Sequence, residues 1–239
     1  MAGQITKTFK FSTTVTSKDL ISLNKFISSE FKQVRYKMYI MDGSIYDKDN
    51  INQILEYDNY PLRKITKIEI NANKDAKDFY LLPDFEISLS DLSKSSYSIK
   101  YAIRNVTEKE LDYYVKKIDE LSLNFKSSYS KYNSSQFIYI TMFIFLIIIA
   151  VLIAFVSNKI SPNVSTEMVV FLSAAIGVVF GKLVPSILYW LYPQTIFCIG
   201  KQEQFYENKK KLRNNIYVGF ILAFVVSIFA TVVVNYFMK

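Results

Sequence analysis

The sequence predicts an α+β cytosolic domain, with a mixed or antiparallel sheet and helices, followed by an all-α membrane domain of three transmembrane helices. Apolar and polar residues alternate in several short segments of residues 1–135, as they do in half-buried strands. Other segments of residues 1–135 place apolar residues three or four apart, as in amphipathic helices. Three apolar stretches follow at about 137–156, 168–191 and 216–237, and each is close to the roughly 20 residues that a helix needs to cross a bilayer. We therefore predict one domain over residues 1–135 and a second over 136–239.

Five strands are predicted in the first domain from their alternating patterns. They lie at residues 5–13, 34–41, 65–71, 79–89 and 97–103. The fourth places Phe85 and Ile87 on one face, and Pro83 favours an edge position or a bulge. The dipeptide Asp42-Gly43 predicts a hairpin turn after the second strand.

Three helices are predicted between and after these strands. The first opens at Ser17, and Asp49 is positioned to cap a shorter second helix. The third starts with the capping-box pair Thr107 and Glu110 and continues at helical spacing to Tyr132, close to the first apolar stretch. One interpretation is a long connector helix that forms a rigid rod into the membrane, because neither Gly nor Pro occurs there. The alternative is a flexible break at the serines at 127, 128, 134 and 135.

Small residues recur at four-residue intervals along two of the three apolar stretches. Helices pack closely in a bilayer through such residues, so the stripes predict a homo-oligomer whose small faces meet around an axis. A compact bundle within one chain is the alternative. Lys182 lies inside the second stretch, which indicates either a pore-lining position or a side chain that reaches the headgroups. The predicted pore or packing residues are Ser173, Gly177, Gly181, Lys182, Gly219, Ala223, Ser227 and Thr231.

Basic residues cluster in the connector 192–215, between the second and third stretches. The positive-inside bias places this connector and residues 1–135 in the cytoplasm and the C-terminus outside. Cys198 is the only cysteine, so an intramolecular disulfide is excluded and a reducing compartment fits. The connector residues Lys209, Lys210, Lys211 and Arg213 are predicted to contact lipid or phosphate, unless they serve only as topological anchors.

The composition excludes most catalytic chemistry. The chain has no histidine, which removes Ser-His-Asp and Cys-His nucleophiles and most zinc or haem sites. Its 6 glycines form neither a G-x-x-x-x-G-K nor a G-x-G-x-x-G phosphate loop. We therefore predict that the protein is not an enzyme and that it uses neither a metal nor a cofactor.

A ligand site is predicted on the outward face of the sheet. Arg35, Lys37 and Tyr39 share one face of their strand, and Lys100 and Arg104 occupy the outward face of another. Interleaved basic and aromatic side chains suit the phosphates and stacked bases of a nucleotide or a single-stranded oligonucleotide. The alternative is that these residues are basic only because they face water.

The order of these parts resembles the membrane effectors of bacterial antiphage defence systems, of the Hailong channel-like type. The resemblance rests on an α+β domain that leads through a helix into a small multi-span module, and on a composition rich in Lys and Asn and low in Gly. The pattern YPQTIFCIG at 192–200, followed by a basic helix and the last apolar stretch, is also similar to a recurring arrangement in bacterial membrane proteins.

The resemblance implies a homo-oligomeric, ligand-gated pore or ion-channel-like effector that depolarises the bacterial cytoplasmic (inner) membrane in antiphage defence. It also implies control by a nucleotide or short oligonucleotide bound to the cytosolic domain, and a nucleotidyltransferase partner in the same system. The alternative function is a non-conducting, membrane-anchored adaptor that recruits a cytoplasmic protein partner. Membrane lipids would be partners under either function.

Overall fold

The computed structural model describes residues 3–75, 82–93, 95–130 and 186–237. The strands are β1 (Gly3–Phe9), β2 (Thr13–Thr16), β3 (Gln33–Ile40), β4 (Ile45–Lys48), β5 (Ile65–Asn73), β6 (Phe85–Ser90), β7 (Ile99–Val106) and β8 (Thr195–Cys198). The helices are α1 (Ser17–Glu30), α2 (Asn52–Leu55), α3 (Glu108–Asn124) and α4 (Lys201–Phe237). A short 3-10 turn occupies Pro61–Arg63, and residues 186–191 are helical.

Six of the strands form one antiparallel sheet in the order β1-β7-β6-β5-β3-β4. The α+β domain is thus confirmed, and the strands predicted at 34–41, 65–71 and 97–103 correspond to β3, β5 and β7. The strand predicted at 5–13 is divided between β1 and β2, because the chain bends between them. The alternation at 79–89 gives β6 from Phe85 onward, and residues 76–81 lie outside the described part of the chain. Gly43, with φ of 90°, forms the predicted turn between β3 and β4.

One face of the sheet carries the hydrophobic core. The strand register aligns inward side chains in rows, such as Tyr36, Ile70 and Ile87 across β3, β5 and β6. Helices α1 and α3 cover this face and bury Leu23 and Ile118 respectively. Burying one such aliphatic side chain stabilises the fold by about 1.5–3 kcal/mol, so these rows hold the sheet and helices together.

Capping boxes start both α1 and α3. The predicted pair at α3 is confirmed, since the Thr107 N–H donates to Glu110 Oε2 at 2.8 Å and the Glu110 N–H to Thr107 Oγ1 at 3.4 Å. Helix α1 starts where it was predicted and is capped by Thr16, whose Oγ1 accepts from the Asp19 N–H. At the start of α2 the Asn52 N–H donates to Asn50 Oδ1 at 2.9 Å and the N-cap residue is Ile51, so the predicted capping role of Asp49 is wrong.

Helix α3 ends at Asn124, well before the predicted end at residue 132. The chain turns there, and Lys126 pairs with Thr13 in an isolated antiparallel bridge. Ser127 is buried, and its N–H donates to a carbonyl of the segment before β2 at 2.8 Å. The predicted rod therefore stops at Asn124, and the segment through Ser127 is packed on the domain.

The last strand returns to the N-terminal half of the chain. β8 pairs in parallel with β2, with Thr13 opposite Thr195, and the two threonine hydroxyls hydrogen bond at 3.2 Å. Phe197 and Ile199 join the same core as the sheet. β8 and the first turns of α4 occupy the connector, and they complete the first domain instead of leading away from it.

Gly200 forms the turn between β8 and α4. Its φ of +55° lies in the left-handed region, and a Cβ at this position would lie 2.7 Å from the Tyr57 carbonyl oxygen. Glycine is therefore needed for both the backbone conformation and the close approach. The start of α4 is thereby held against the loop at 57–59.

Within the described residues, no helix is both long and apolar enough to cross a membrane. α1 and α3 have 14 and 17 residues and are amphipathic, and α4 begins with a charged segment at Lys201 that docks on the domain. This finding contradicts the predicted all-α membrane domain of three transmembrane helices. It likewise contradicts the assignment as a transmembrane, channel-like membrane effector, and the bacterial inner-membrane location with the C-terminus outside. Residues 137–156 and most of 168–191 lie outside the described residues.

Candidate functional site

A cleft of about 430 Å³ lies at the end of the sheet where β3 and β6 finish and β5 begins. This volume is in the range of small-molecule sites. The sheet supplies one wall, and residues 190–209 supply the other. The side chains that give the cleft its character are Lys64, Asp91, Trp190, Gln202, Phe205 and Lys209.

The sheet wall carries a carboxylate beside an ammonium. Asp91 directly follows β6 and is 5% exposed. Its Oδ1 accepts from the Ser93 N–H at 3.1 Å and from Ser93 Oγ at 2.8 Å. Its Oδ2 lies 3.7 Å from Nζ of Lys64, the residue that precedes β5. A buried carboxylate needs such partners, so Asp91 is fixed in one orientation beside Lys64.

Two buried side chains join the walls of the cleft. Asn59 donates from Nδ2 to the Phe197 carbonyl at 2.9 Å and accepts at Oδ1 from the Ile65 N–H at 2.8 Å. Thr195 Oγ1 donates to the Ser90 carbonyl at 3.2 Å. Asn59 thus links β8 to β5, and Thr195 links β8 to β6. The shape of the cleft therefore depends on both side chains.

The opposite wall consists of Trp190 and the first turns of α4. Gln202, Tyr206 and Lys209 are half-buried at helical spacing, which places them on the side of α4 that faces the domain. Trp190 and Phe205 are 52% and 46% exposed, so both aromatic side chains leave much of their surface open at the cleft. Lys209 Nζ donates to the Trp190 carbonyl at 3.2 Å and lies 5.0 Å from the centre of its ring.

Lys209 is a cation in an electrostatically unfavourable place. Burial lowers the pKa of its ammonium, and the nearby charges of Lys64 and Arg213 lower that pKa further. An anion between Lys64 and Lys209 would relieve this repulsion, because an opposite charge within a few ångströms favours the charged form. The cleft therefore favours an anionic group.

Arg213 follows on the same face of α4 and is 6% exposed. Its Nη1 donates to the Leu191 carbonyl at 2.8 Å. Its guanidinium lies 4.8 Å from the ring centre of Tyr129, 5.6 Å from that of Tyr206 and 5.8 Å from that of Tyr192. We call Arg213 and these three tyrosines the arginine clamp. The clamp joins α4 to the segment after α3 and to the segment before β8.

The structure separates the four predicted lipid or phosphate residues of the connector. Lys209 lines the cleft and Arg213 is buried in the clamp. Lys210 lies 3.8 Å from Glu207, and Lys211 is exposed. They therefore do not form one basic surface.

The five predicted ligand residues of the sheet lie on the face turned away from α1 and α3. Lys37 and Lys100 share one row of the register across β3, β5, β6 and β7. Arg35, Tyr39 and Arg104 lie on the same face, at other positions along these strands. The strand register thus places these five residues on one face of the sheet.

Acidic residues interrupt this basic face. Lys37 Nζ lies 3.8 Å from Asp47, and Arg104 Nη2 lies 3.4 Å from Glu86. A third carboxylate, Glu69, accepts a hydrogen bond from the Tyr39 hydroxyl at 2.6 Å. The face therefore alternates in charge, which makes it less suited to a polyanion than the cleft.

The predicted pore and packing residues stay untested. Ser173, Gly177, Gly181 and Lys182 lie outside the described residues. Gly219 and Ala223 are exposed on α4, and a Cβ at Gly219 would meet no described atom within 4 Å. Ser227 and Thr231 lie further along the same helix.

The sequence interpretation missed the cleft residues other than Lys209. Lys64 and Asp91 meet only because β5 and β6 are neighbours, which the alternation of each strand does not reveal. Trp190 did offer a signal, since the single tryptophan of the chain stands just before the pattern YPQTIFCIG. The spacing of polar residues on the domain-facing side of α4 offered a second one.

The cleft presents charged and aromatic side chains to a ligand. Among the described residues, no group of three or more His, Cys, Asp or Glu side chains could hold a metal ion. Asp91 is engaged by Ser93 and Lys64, which leaves it poorly placed to act as a general base. The cleft can hold an anion by its two lysines and a planar group by its two exposed rings.

No protein-family model matches the chain, and comparisons with curated proteins and with solved structures found no significant match. The resemblance to antiphage effectors, the homo-oligomer and the nucleotidyltransferase partner therefore stay predictions.

Proposed function

We propose that this chain is a non-enzymatic ligand-binding protein whose cleft binds a nucleotide or the end of a short single-stranded oligonucleotide. The base stacks on Trp190 and Phe205, and the phosphate lies between Lys64 and Lys209. The observation that carries this proposal is the convergence of two ammonium groups and two exposed aromatic rings in one cleft of about 430 Å³.

The chemistry of each wall supports a different part of the ligand. Stacking of a base on an aromatic side chain contributes roughly 1–3 kcal/mol and tolerates any base. The desolvated ammonium of Lys209, repelled by Lys64, gains most from a phosphate. Asp91 is fixed at the same end of the sheet, where its carboxylate accepts hydrogen bonds from a base amino group or a sugar hydroxyl.

The single tryptophan makes this proposal directly testable. Because Trp190 lines the cleft, its fluorescence in the full chain reports ligand stacking without an added label. We expect saturable quenching by adenosine monophosphate and by a 5′-phosphorylated DNA tetranucleotide. Inorganic phosphate should compete without quenching, and the affinity of the tetranucleotide should fall as salt is raised.

The outward face of the sheet provides the matched control. The double variant Lys37→Gln/Lys100→Gln removes two positive charges that do not line the cleft and should bind the tetranucleotide as the wild type does. A loss of binding in this variant would move the site to the sheet face. Unchanged Trp190 fluorescence with every probe would refute binding in the cleft.

A further inference from the structure

We infer that Arg213 is a positioning residue of the cleft, and that the arginine clamp couples occupancy of the cleft to the docking of α4 on the domain. The inference rests on the proposed function, because it assigns regulation to the same site. Its basis is the position of the clamp, which lies next to the cleft and shares two of its structural parts, α4 and the segment before β8.

The face by which α4 docks is polar. Gln202, Tyr206, Lys209 and Arg213 are the half-buried or buried positions among residues 201–213, whereas the large apolar side chains Phe205 and Leu212 are exposed. An ordinary surface helix docks through an apolar stripe that is buried on the core. Docking of α4 therefore depends on hydrogen bonds and cation–π contacts instead of a large apolar surface.

The clamp contains the most buried of these four residues. Arg213 is buried, donates to the Leu191 carbonyl and touches three tyrosine rings. Tyr129 also donates from its hydroxyl to the Pro193 carbonyl at 3.1 Å. The clamp thus ties Leu191, the residue after Trp190, to α4. The Trp190 ring and the Lys209 side chain are therefore positioned together.

A ligand in the cleft would touch both walls at once. Its phosphate would contact Lys64 of the sheet and Lys209 of α4, so it binds the docked arrangement better than an undocked one. Occupancy and docking then stabilise each other by the same factor, as thermodynamic linkage requires. The ligand would thereby determine how firmly α4 is held.

Cys198 can report the docking of α4, because its own side chain does not line the cleft. It is the only cysteine and is 3% exposed. Burial raises the pKa of its thiol to about 12, with smaller contributions from Glu203 and Glu207 of α4 and from Asp19. Alkylation of Cys198 by iodoacetamide therefore requires an opening of the elements packed around β8, which include α4.

The test compares the full-length wild type with Arg213→Met and Arg213→Lys. In the wild type, the 5′-phosphorylated tetranucleotide at about 100 times its dissociation constant should slow alkylation of Cys198 by up to about 100-fold. Arg213→Met should be alkylated at least tenfold faster than the wild type without probe, and saturating probe should slow this reaction again. Arg213→Lys keeps a cation and a donor for the Leu191 carbonyl, so its rate should fall between the two.

The possible results separate the two proposals. If the probe quenches Trp190 but leaves the alkylation rate of the wild type unchanged, the coupling is refuted and the proposed function stands. If the probe causes no quenching, the proposed function fails and the coupling fails with it. If Arg213→Met or Arg213→Lys reacts at the wild-type rate, the clamp does not hold α4. If Arg213 had only a structural role, its replacement would raise the alkylation rate of Cys198, but the probe would not change that rate.

Discussion

Replacing both cleft lysines, as in Lys64→Gln/Lys209→Gln, is expected to weaken binding of the 5′-phosphorylated tetranucleotide by about 100-fold. Each lysine would donate a charge-assisted hydrogen bond to the phosphate, and the loss of such a bond costs about 1.5–3 kcal/mol. A loss near 1.4 kcal/mol for each lysine already gives tenfold per residue. The slope of log affinity against log salt should also fall by about 0.7, since both lysines contact the same phosphate and about 0.7 is lost per phosphate contact with a single strand.

The control for this variant is Lys210→Gln/Lys211→Gln. It makes the same change of charge on the helix that carries Lys209, but Lys210 lies by Glu207 and Lys211 is exposed. We expect less than a threefold loss of affinity, from long-range charge alone. Lys64 also partners the buried Asp91, so the single variant Lys209→Gln isolates the binding effect from any loss of stability. Equal losses in the two double variants would show that the cleft is not the phosphate site.

The substitution Asn59→Ala is expected to lower the free energy of unfolding by about 3 kcal/mol. Asn59 is 1% exposed, and its amide bonds both the Phe197 carbonyl and the Ile65 N–H. Removing it leaves the buried Ile65 N–H without a partner, which costs about 1–3 kcal/mol. The Phe197 carbonyl keeps the hydrogen bond from the Ile199 N–H at 2.9 Å but loses the one from Asn59, which costs about a further 1 kcal/mol. Chemical denaturation followed by circular dichroism would measure the change, and the quenching of Trp190 by the tetranucleotide should weaken in parallel because the two walls lose a link.

Asn52→Ala provides the comparison for Asn59→Ala. Asn52 is exposed at the start of α2, so its replacement should change the free energy of unfolding by no more than about 0.5 kcal/mol. A result for Asn59→Ala as small as that for Asn52→Ala would mean that β8 is not braced to the sheet through Asn59. The description of the cleft as a single preformed site would then be wrong.

The elements that the sequence predicted well are those whose signals are local. Alternation identified β3, β5 and β7 because one face of each strand packs in the core and the other does not. The pair Thr107 and Glu110 predicted the start of α3 because both partners of a capping box lie within one turn. The predicted ligand residues share one face of the sheet for the same reason, since the side-chain period of a strand is fixed.

The features that the sequence did not predict depend on contacts between distant segments. β8 pairs with β2 across more than 180 residues, and nothing in either short strand specifies its partner. Lys64, Asp91 and Trp190 come together only through that pairing and through the order of strands in the sheet. In the sequence, Arg213 is one of four neighbouring basic residues of the connector. Only the positions of the three tyrosines in the fold distinguish it from the other three.

The apolar stretches show the limit of an argument from composition. Hydropathy recognised runs of apolar residues, but it did not show that α4 begins at Lys201 and docks through a polar face before residue 216 is reached. The interpretation as three separate membrane helices followed from run length alone. Where a helix begins and what it packs against are properties of the fold.

Photocrosslinking tests the central claim most directly. A tetranucleotide with a 5′-phosphate and 5-iodouracil at its first position would be bound to the full chain, irradiated and located by mass spectrometry. If the base stacks in the cleft, the crosslink falls on Trp190 or Phe205 and is lost in Lys64→Gln/Lys209→Gln. A crosslink on Tyr39 of the sheet face, unaffected by that variant, would contradict the account.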